Sequence, residues 1–309
     1  MDSEVRMPVP ETRYFNFEGH RLAYVERGAG KRVVVLLHAL LLSKRMHRAL
    51  ARELDTRGYR VISLDLLGHG ESDRPADMTQ HSMQRYGRMP IALLDHLGIE
   101  QAVFLGTSLG ANTTLETAAV APERVRGMVI EMPVLDSAII PAAAAFLPVM
   151  IAMRFGAPLM KASSAVVRRV PTAGLGLLDT VLDWPRSEPE PALAVLQGLF
   201  FDRIAPPKGV RRTIAPPALV IGHPNDPVHP FADSDELVRE LPNARLLEAE
   251  SILELRLRPA RLTSEIAAFV DECWAAPARR SGRARSKSAP AKRGTPTRTG
   301  ATKRPSTAA

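Results

Sequence analysis

The chain contains a single cysteine, Cys273, among 309 residues. One thiol excludes an internal disulfide framework and any zinc site built from cysteines. Such usage suits a reducing interior and sets the expectation of a cytoplasmic protein. The opening residues, Met1-Asp2-Ser3-Glu4, have neither the basic nor the apolar region of a signal peptide. Long hydrophobic runs are also scarce. The most apolar stretch, Ala138 to Met153, carries Pro141 and Pro148 and is short for a bilayer span, so no transmembrane segment is expected. It reads as a buried or lid segment, with an interfacial membrane contact as the other reading.

Negative charge is missing from the C-terminus. Residues 277–309 hold ten Lys/Arg and no Asp or Glu, which leaves 31 basic and 33 acidic residues in the first 276. The net charge of +8 and the pI near 10.0 therefore describe an appendage on a domain of net charge −2. The tail, residues 276–309, is rich in Ala, Pro, Ser, Thr, Gly, Lys and Arg, and is expected to be disordered because it cannot bury enough apolar surface to offset ordering entropy. It could contact anionic partners without sequence preference, but no aromatic is interleaved for base stacking.

What remains is globular in composition, with 45% hydrophobic and 24% charged residues, and long enough to bury a large core. Strands and helices alternate along it. Arg13–Phe17 and Arg21–Val25 form an expected hairpin around Glu18-Gly19. Val33–Leu37 is a continuous apolar run of the kind that makes a buried parallel strand. Further strands are expected at Val61–Leu64, Ala102–Leu105, Met128–Ile130, Ala218–Ile221 and Arg245–Leu247. Helices are expected at Arg45–Arg57, Ser82–Leu97 (kinked or divided at Pro90), Leu109–Ala119, Phe231–Leu241 and Pro259–Trp274. This alternation predicts an α/β fold, a mostly parallel sheet with helices on both faces. Residues 135–213 break it: they are apolar and rich in Pro and Ala, with breaks at Pro171, Gly174, Gly176 and Pro185. They read as a helical cap inserted between two core segments, 1–134 and 214–275. An insertion at that edge of the sheet would lie over the ligand crevice.

The chemical signal is Gly106-Thr107-Ser108-Leu109-Gly110. The five-residue string alone is weak. Its setting is specific, because it follows the strand Val103-Phe104-Leu105 and opens a helix, as a nucleophile elbow requires. The sharp turn leaves no room for side chains beside the serine, and the helix N-terminus offers positive potential to a developing oxyanion.

Together with three other segments this resembles the α/β-hydrolase superfamily over about residues 12–275. Leu36-Leu37-His38-Ala39-Leu40 sits where the family has a strand ending in His-Gly before the oxyanion loop. Asp65-Leu66-Leu67-Gly68-His69-Gly70-Glu71-Ser72-Asp73 is similar to the family's D-x-x-G-x-G-x-S segment, and Gly222 to Pro230 to its acid loop. The resemblance implies a cofactor-independent enzyme without a metal. It implies Ser108 as nucleophile, Asp226 as the triad acid, and the backbone N–H groups of Leu40 and Leu109 as the oxyanion hole, with His38 and Thr107 beside the substrate. A serine argues against the branches that use aspartate, the haloalkane dehalogenases and epoxide hydrolases. Ala39 replaces a family glycine, which is tolerable only where that residue avoids positive φ.

The family's general base lies after the last strand, about seven residues before a proline. Counting back from Pro259, Ile252 occupies that position, and no histidine follows His229. Serine is a poor nucleophile without a base. Of the eight histidines, His38, His69, His223 and His229 lie in loops at the C-terminal ends of strands, where the site must form. His69 and His38 resemble structural residues of the family. The expectation is that His229, three residues after Asp226, supplies the base, with His223 as second choice. The function expected is a serine hydrolase acting on an ester or related acyl bond of a small, largely apolar molecule. The alternative is a catalytically weak relative that binds a ligand or a protein.

Overall fold

The computed structural model describes residues 10–167, 169 and 188–277. Most of the expected tail and the breakers Pro171, Gly174, Gly176 and Pro185 lie outside the described residues. Eight strands form one sheet: β1 (Arg13–Phe17), β2 (His20–Arg27), β3 (Val33–Leu37), β4 (Arg60–Leu64), β5 (Ala102–Thr107), β6 (Val125–Glu131), β7 (Ala218–Gly222) and β8 (Ala244–Glu248). Their order is β1-β2-β4-β3-β5-β6-β7-β8. β2 runs antiparallel to β1 and β4, and the remaining pairs are parallel.

The continuous apolar runs are explained by two covered faces. Val33, Val35 and Leu37 point into one core layer, and Val34 and Leu36 into the other. The same alternation divides Phe104 from Val103 and Leu105, and Ile130 from Val129. The first layer is closed by α2 (Met83–His96) and α3 (Leu109–Val120), the second by α1 (Arg48–Thr56) and α10 (Ala260–Ala275). Two helical expectations change. α1 is preceded by a separate 3₁₀ turn, Lys44–His47, because Asp65 holds Lys44 by both its backbone N–H and its ammonium group, each at 2.6 Å. α2 is not divided: it runs on through Pro90.

Between β6 and β7 lie α4 (Ile139–Phe155), α5 (Ala157–Val167), α6 (Pro189–Phe200) and the short α7 (Lys208–Arg211). α4 packs on α6 through Met153, Ala192 and Leu196, with Phe146 against Phe200. The helix is continuous across Pro141 and Pro148, so the prolines do not interrupt the apolar stretch. Of the two readings of this stretch, buried or lid, burial does not hold: of α4 only Ala142 and Met153 are enclosed. Two side chains moor this insertion to the sheet. Asn112 accepts the Val134 N–H at 3.1 Å and donates to the carbonyls of Val134 and Ile204 at 2.7 and 2.6 Å. Asp233, buried at the start of α8 (Phe231–Glu240), accepts N–H groups from Leu135, Ser137 and Ala138.

Candidate active site

Ser108 sits between the end of β5 and the first turn of α3 with φ 54° and ψ −110°. A non-glycine residue there is strained, and the surrounding packing must hold it. Both elbow glycines are required by close approach. A Cβ on Gly106 would come within 2.0 Å of the Gly110 carbonyl oxygen, and one on Gly110 within 2.1 Å of that of Leu37. The Ser108 N–H donates to the Glu131 carbonyl on β6 at 2.9 Å, which ties the elbow to the neighbouring strand.

The loop after β7 reaches this serine. His229 Nε2 lies 2.9 Å from Ser108 Oγ, and His229 Nδ1 lies 3.0 Å from Asp226 Oδ2. With the ring proton on Nδ1 donated to Asp226, Nε2 presents a lone pair to the serine hydroxyl. Asp226 Oδ1 accepts the backbone N–H groups of Val228 at 2.8 Å and His229 at 2.9 Å, so the carboxylate folds its own loop into the shape that carries the imidazole. Burial pushes the Asp226 carboxyl up. The His229 hydrogen bond and charge and the two backbone N–H groups outweigh it and hold the group below the usual carboxylate range.

Ser108 and His229 open into a cavity of about 550 Å³. Its walls are mostly apolar, with Met83, Leu135, Ile139, Phe146 and Leu199 among them, and include Arg203 and Lys208. Leu40 and Leu109 also line it. Leu109 is the first residue of α3, and the leading N–H groups of a helix have no partner within it. Ala39 avoids positive φ; the left-handed residue of that loop is Leu41, at φ 60°.

The structure brings Ser108, Asp226 and His229 together and keeps three other candidates apart from them. His223 is buried, with Nδ1 2.9 Å from the Ser251 carbonyl and Nε2 beside the Glu131 carboxylate at an ion-pair distance of 3.3 Å, so neither faces Ser108. His38 is fully buried and outside the cavity wall; its Nδ1 lies 2.8 Å from the Ala39 carbonyl and its Nε2 accepts the Leu66 N–H at 3.0 Å. Thr107 also points away from the cavity, donating to Glu131 and accepting from Arg256 at 3.2 Å. The corrections to His223 and Thr107 share one cause, since each meets a buried charge cluster around Glu131, whereas His38 is held by backbone groups.

That cluster was not singled out in the sequence. Glu131, at the end of β6, is almost fully enclosed, and Arg256 Nη2 from α9 (Glu254–Leu257) reaches it at 2.8 Å. Burial pushes the Glu131 carboxyl up, but Arg256, His223 and Thr107 together hold it far below the usual range. Burial likewise pulls the His223 imidazole down, and the Glu131 contact more than reverses this, so its affinity for a proton is raised. The available signal was a carboxylate ending the otherwise apolar run Met128-Val129-Ile130. Ile252, at the family's base position, is partly exposed in the turn after β8 and does not line the cavity.

Comparison with known proteins agrees with this architecture. Residues 32–153 match the family model described as alpha/beta hydrolase fold. The chain is 34% identical over 110 residues to bifunctional epoxide hydrolase 2 of Sus scrofa, covering 36% of this chain and 20% of that protein. It is 31% identical over 142 residues to epoxide hydrolase A of Mycobacterium tuberculosis, covering 45% of this chain and 44% of that one. The matched stretches thus span less than half the length of these curated relatives. Among solved structures, the enol-lactonase from Burkholderia xenovorans LB400 superposes with a TM-score of 0.68 at 21% identity, over 84% of this chain and all of that one. Its strand order and elbow are those of the α/β-hydrolase fold, and over residues 32–153 the chain is similar to the family of that name.

Proposed function

We propose that the protein is a serine hydrolase that cleaves an ester or related acyl bond of a small, largely apolar molecule, using His229 as general base. The observation that carries this reading is the unbroken relay from Asp226 Oδ2 through the His229 ring to Ser108 Oγ, with contacts of 3.0 and 2.9 Å. These lie within the reach that proton transfer needs.

In this mechanism His229 Nε2 takes the hydroxyl proton as Ser108 Oγ attacks the acyl carbon. The N–H groups of Leu40 and Leu109 stabilise the oxyanion beside the α3 N-terminus. His229 then gives its proton to the departing alcohol oxygen, leaving the acyl group on Ser108. A water attacks that ester, passing its proton to His229, which returns it to Ser108 Oγ as the bond to the acyl carbon breaks and the acid departs. Asp226 orients the ring and stabilises the imidazolium that forms twice per cycle. Specificity for apolar acyl groups is supported by the cavity wall, which Leu135, Ile139 and Phe146 line together with Ser108. A serine rather than a carboxylate at position 108 favours acyl transfer over the epoxide chemistry named for two of the relatives.

Labelling with a fluorophosphonate probe tests the reading. The native chain should be labelled, and Ser108→Ala should not. Absence of labelling, together with no turnover of p-nitrophenyl esters, would favour a ligand- or protein-binding role instead.

A further inference from the structure

We infer that the outer face of α4 and α5 is a docking surface for an anionic lipid bilayer. The face stands independently of the hydrolase reading. An α-helix that is apolar on all sides belongs in a protein core or in lipid. The segment Asp136–Phe155 has a mean hydropathy of 1.9, yet only 17% of it is buried. One side of α4 is committed to the protein: Ile139, Ala142 and Phe146 line the cavity, which argues against a spanning helix. The other side is bare. Ile140, Leu147, Ile151 and Phe155 follow at spacings of i, i+7, i+11 and i+15, which places them in one stripe. Ile140 and Phe155 are each 80% exposed, and Leu159 on α5 is 77% exposed. Among the described residues nothing covers these side chains. Contiguous apolar surface of this kind marks an interaction site.

Charge decides between lipid and a second copy of the chain. α4 and α5 carry two basic residues, Arg154 and Lys161, and no Asp or Glu, and the exposed Arg169 follows them. Lys161 meets Glu190 at the edge of the face. A two-fold dimer would set this cationic surface against itself. An anionic bilayer offers acyl chains to the apolar stripe and negative headgroups to its basic border. The C-terminal tail, with ten Lys/Arg and no acid, adds a second electrostatic contact of the sort that stable peripheral anchoring requires.

Flotation of the full chain with vesicles tests this, using phosphatidylcholine alone and an equimolar mixture with phosphatidylglycerol. The protein should float with the mixed vesicles, and less so as salt is raised. The triple variant Ile140→Ser, Phe155→Ser, Leu159→Ser should weaken partitioning at least about tenfold, with turnover of a soluble ester unchanged. Arg154→Glu with Lys161→Glu should weaken it for the mixed vesicles alone, and gives a second readout should the triple variant fold poorly. Three outcomes overturn the inference. One is no flotation of the native chain. Another is flotation that neither variant alters, which assigns binding to the tail. The third is a concentration-dependent dimer abolished by the triple variant without any vesicle binding.

Discussion

The loops after β7 and β8 leave adjacent parallel strands at the same edge of the sheet, yet they do opposite things. The first carries Asp226 and His229 three residues apart and brings both to Ser108. The second, where the family's base would stand, exposes Ile252 and sends Arg256 inward to Glu131. Strands in a sheet are about 4.8 Å apart, so neighbouring loops can reach the same point above the sheet edge. The chemistry constrains where the imidazole nitrogen ends, not which loop delivers it. Here Asp226 and His229 share one loop, and the carboxylate beside the ring also accepts the backbone N–H groups that shape the loop. The freed segment after β8 serves as a brace beneath the elbow.

The most severe way to break this division is to remove the imidazole. His229→Ala should lower kcat for a p-nitrophenyl ester by at least about 10³-fold, with KM changed little. Circular dichroism should show the fold intact, since the ring is partly exposed and no core layer depends on it. Turnover within a few-fold of the native chain would remove His229 from the mechanism.

Breaking the other loop should cost stability first. Arg256→Met leaves the Glu131 carboxylate enclosed without its guanidinium, a loss of about 3–5 kcal/mol for a buried pair that loses one member. The melting temperature should fall by about 10 °C. The sign of the pH dependence follows from Glu131, whose carboxyl is held far below its usual range in the folded chain. A depressed carboxyl stabilises the fold above the unfolded value of about 4.3, and that contribution is lost as pH falls through the folded value. In Arg256→Met the carboxyl protonates more readily. The gap in melting temperature between native and variant should therefore be widest above about pH 5 and narrow as the medium becomes more acidic. Thermal scans across that range check it; a gap independent of pH would mean that Arg256 acts by packing alone.

The contrast also shows which features a sequence can carry. The parallel strands were legible because burial on both faces demands unbroken apolar runs such as Val33–Leu37. The elbow was legible because the close approach of Gly106 to Gly110 permits almost nothing but glycine. His229 could be singled out because catalytic groups must leave the C-terminal ends of strands, which narrows eight histidines to four. Choosing among those four needed distances. His38 and His223 have the same sequence credentials, and only packing shows that their nitrogens are already engaged. The Glu131–Arg256 pair was invisible because its members are 125 residues apart and each resembles an ordinary surface charge. For α4 hydropathy could not choose between a buried segment and a lid, because it reports that a segment avoids water, not what shields it.

The smallest effect belongs to Ile252, and it sharpens the comparison most. Its side chain is 38% exposed and lies outside the cavity, so Ile252→Ser should change stability by no more than about 0.5 kcal/mol and leave ester turnover as it is. The informative version places the histidine of the family pattern in a chain that lacks the His229 imidazole. Ile252→His combined with His229→Ala puts an imidazole on the loop after β8, but the carboxylates of that loop, Glu250 and Glu254, both face Arg261, and the Ser251 carbonyl beside it is already engaged by His223. The double variant should therefore be no more active than His229→Ala alone in a p-nitrophenyl ester assay. Recovery of even tenfold would show that the loop after β8 still reaches the serine, and that the two loops differ in residue choice rather than in geometry.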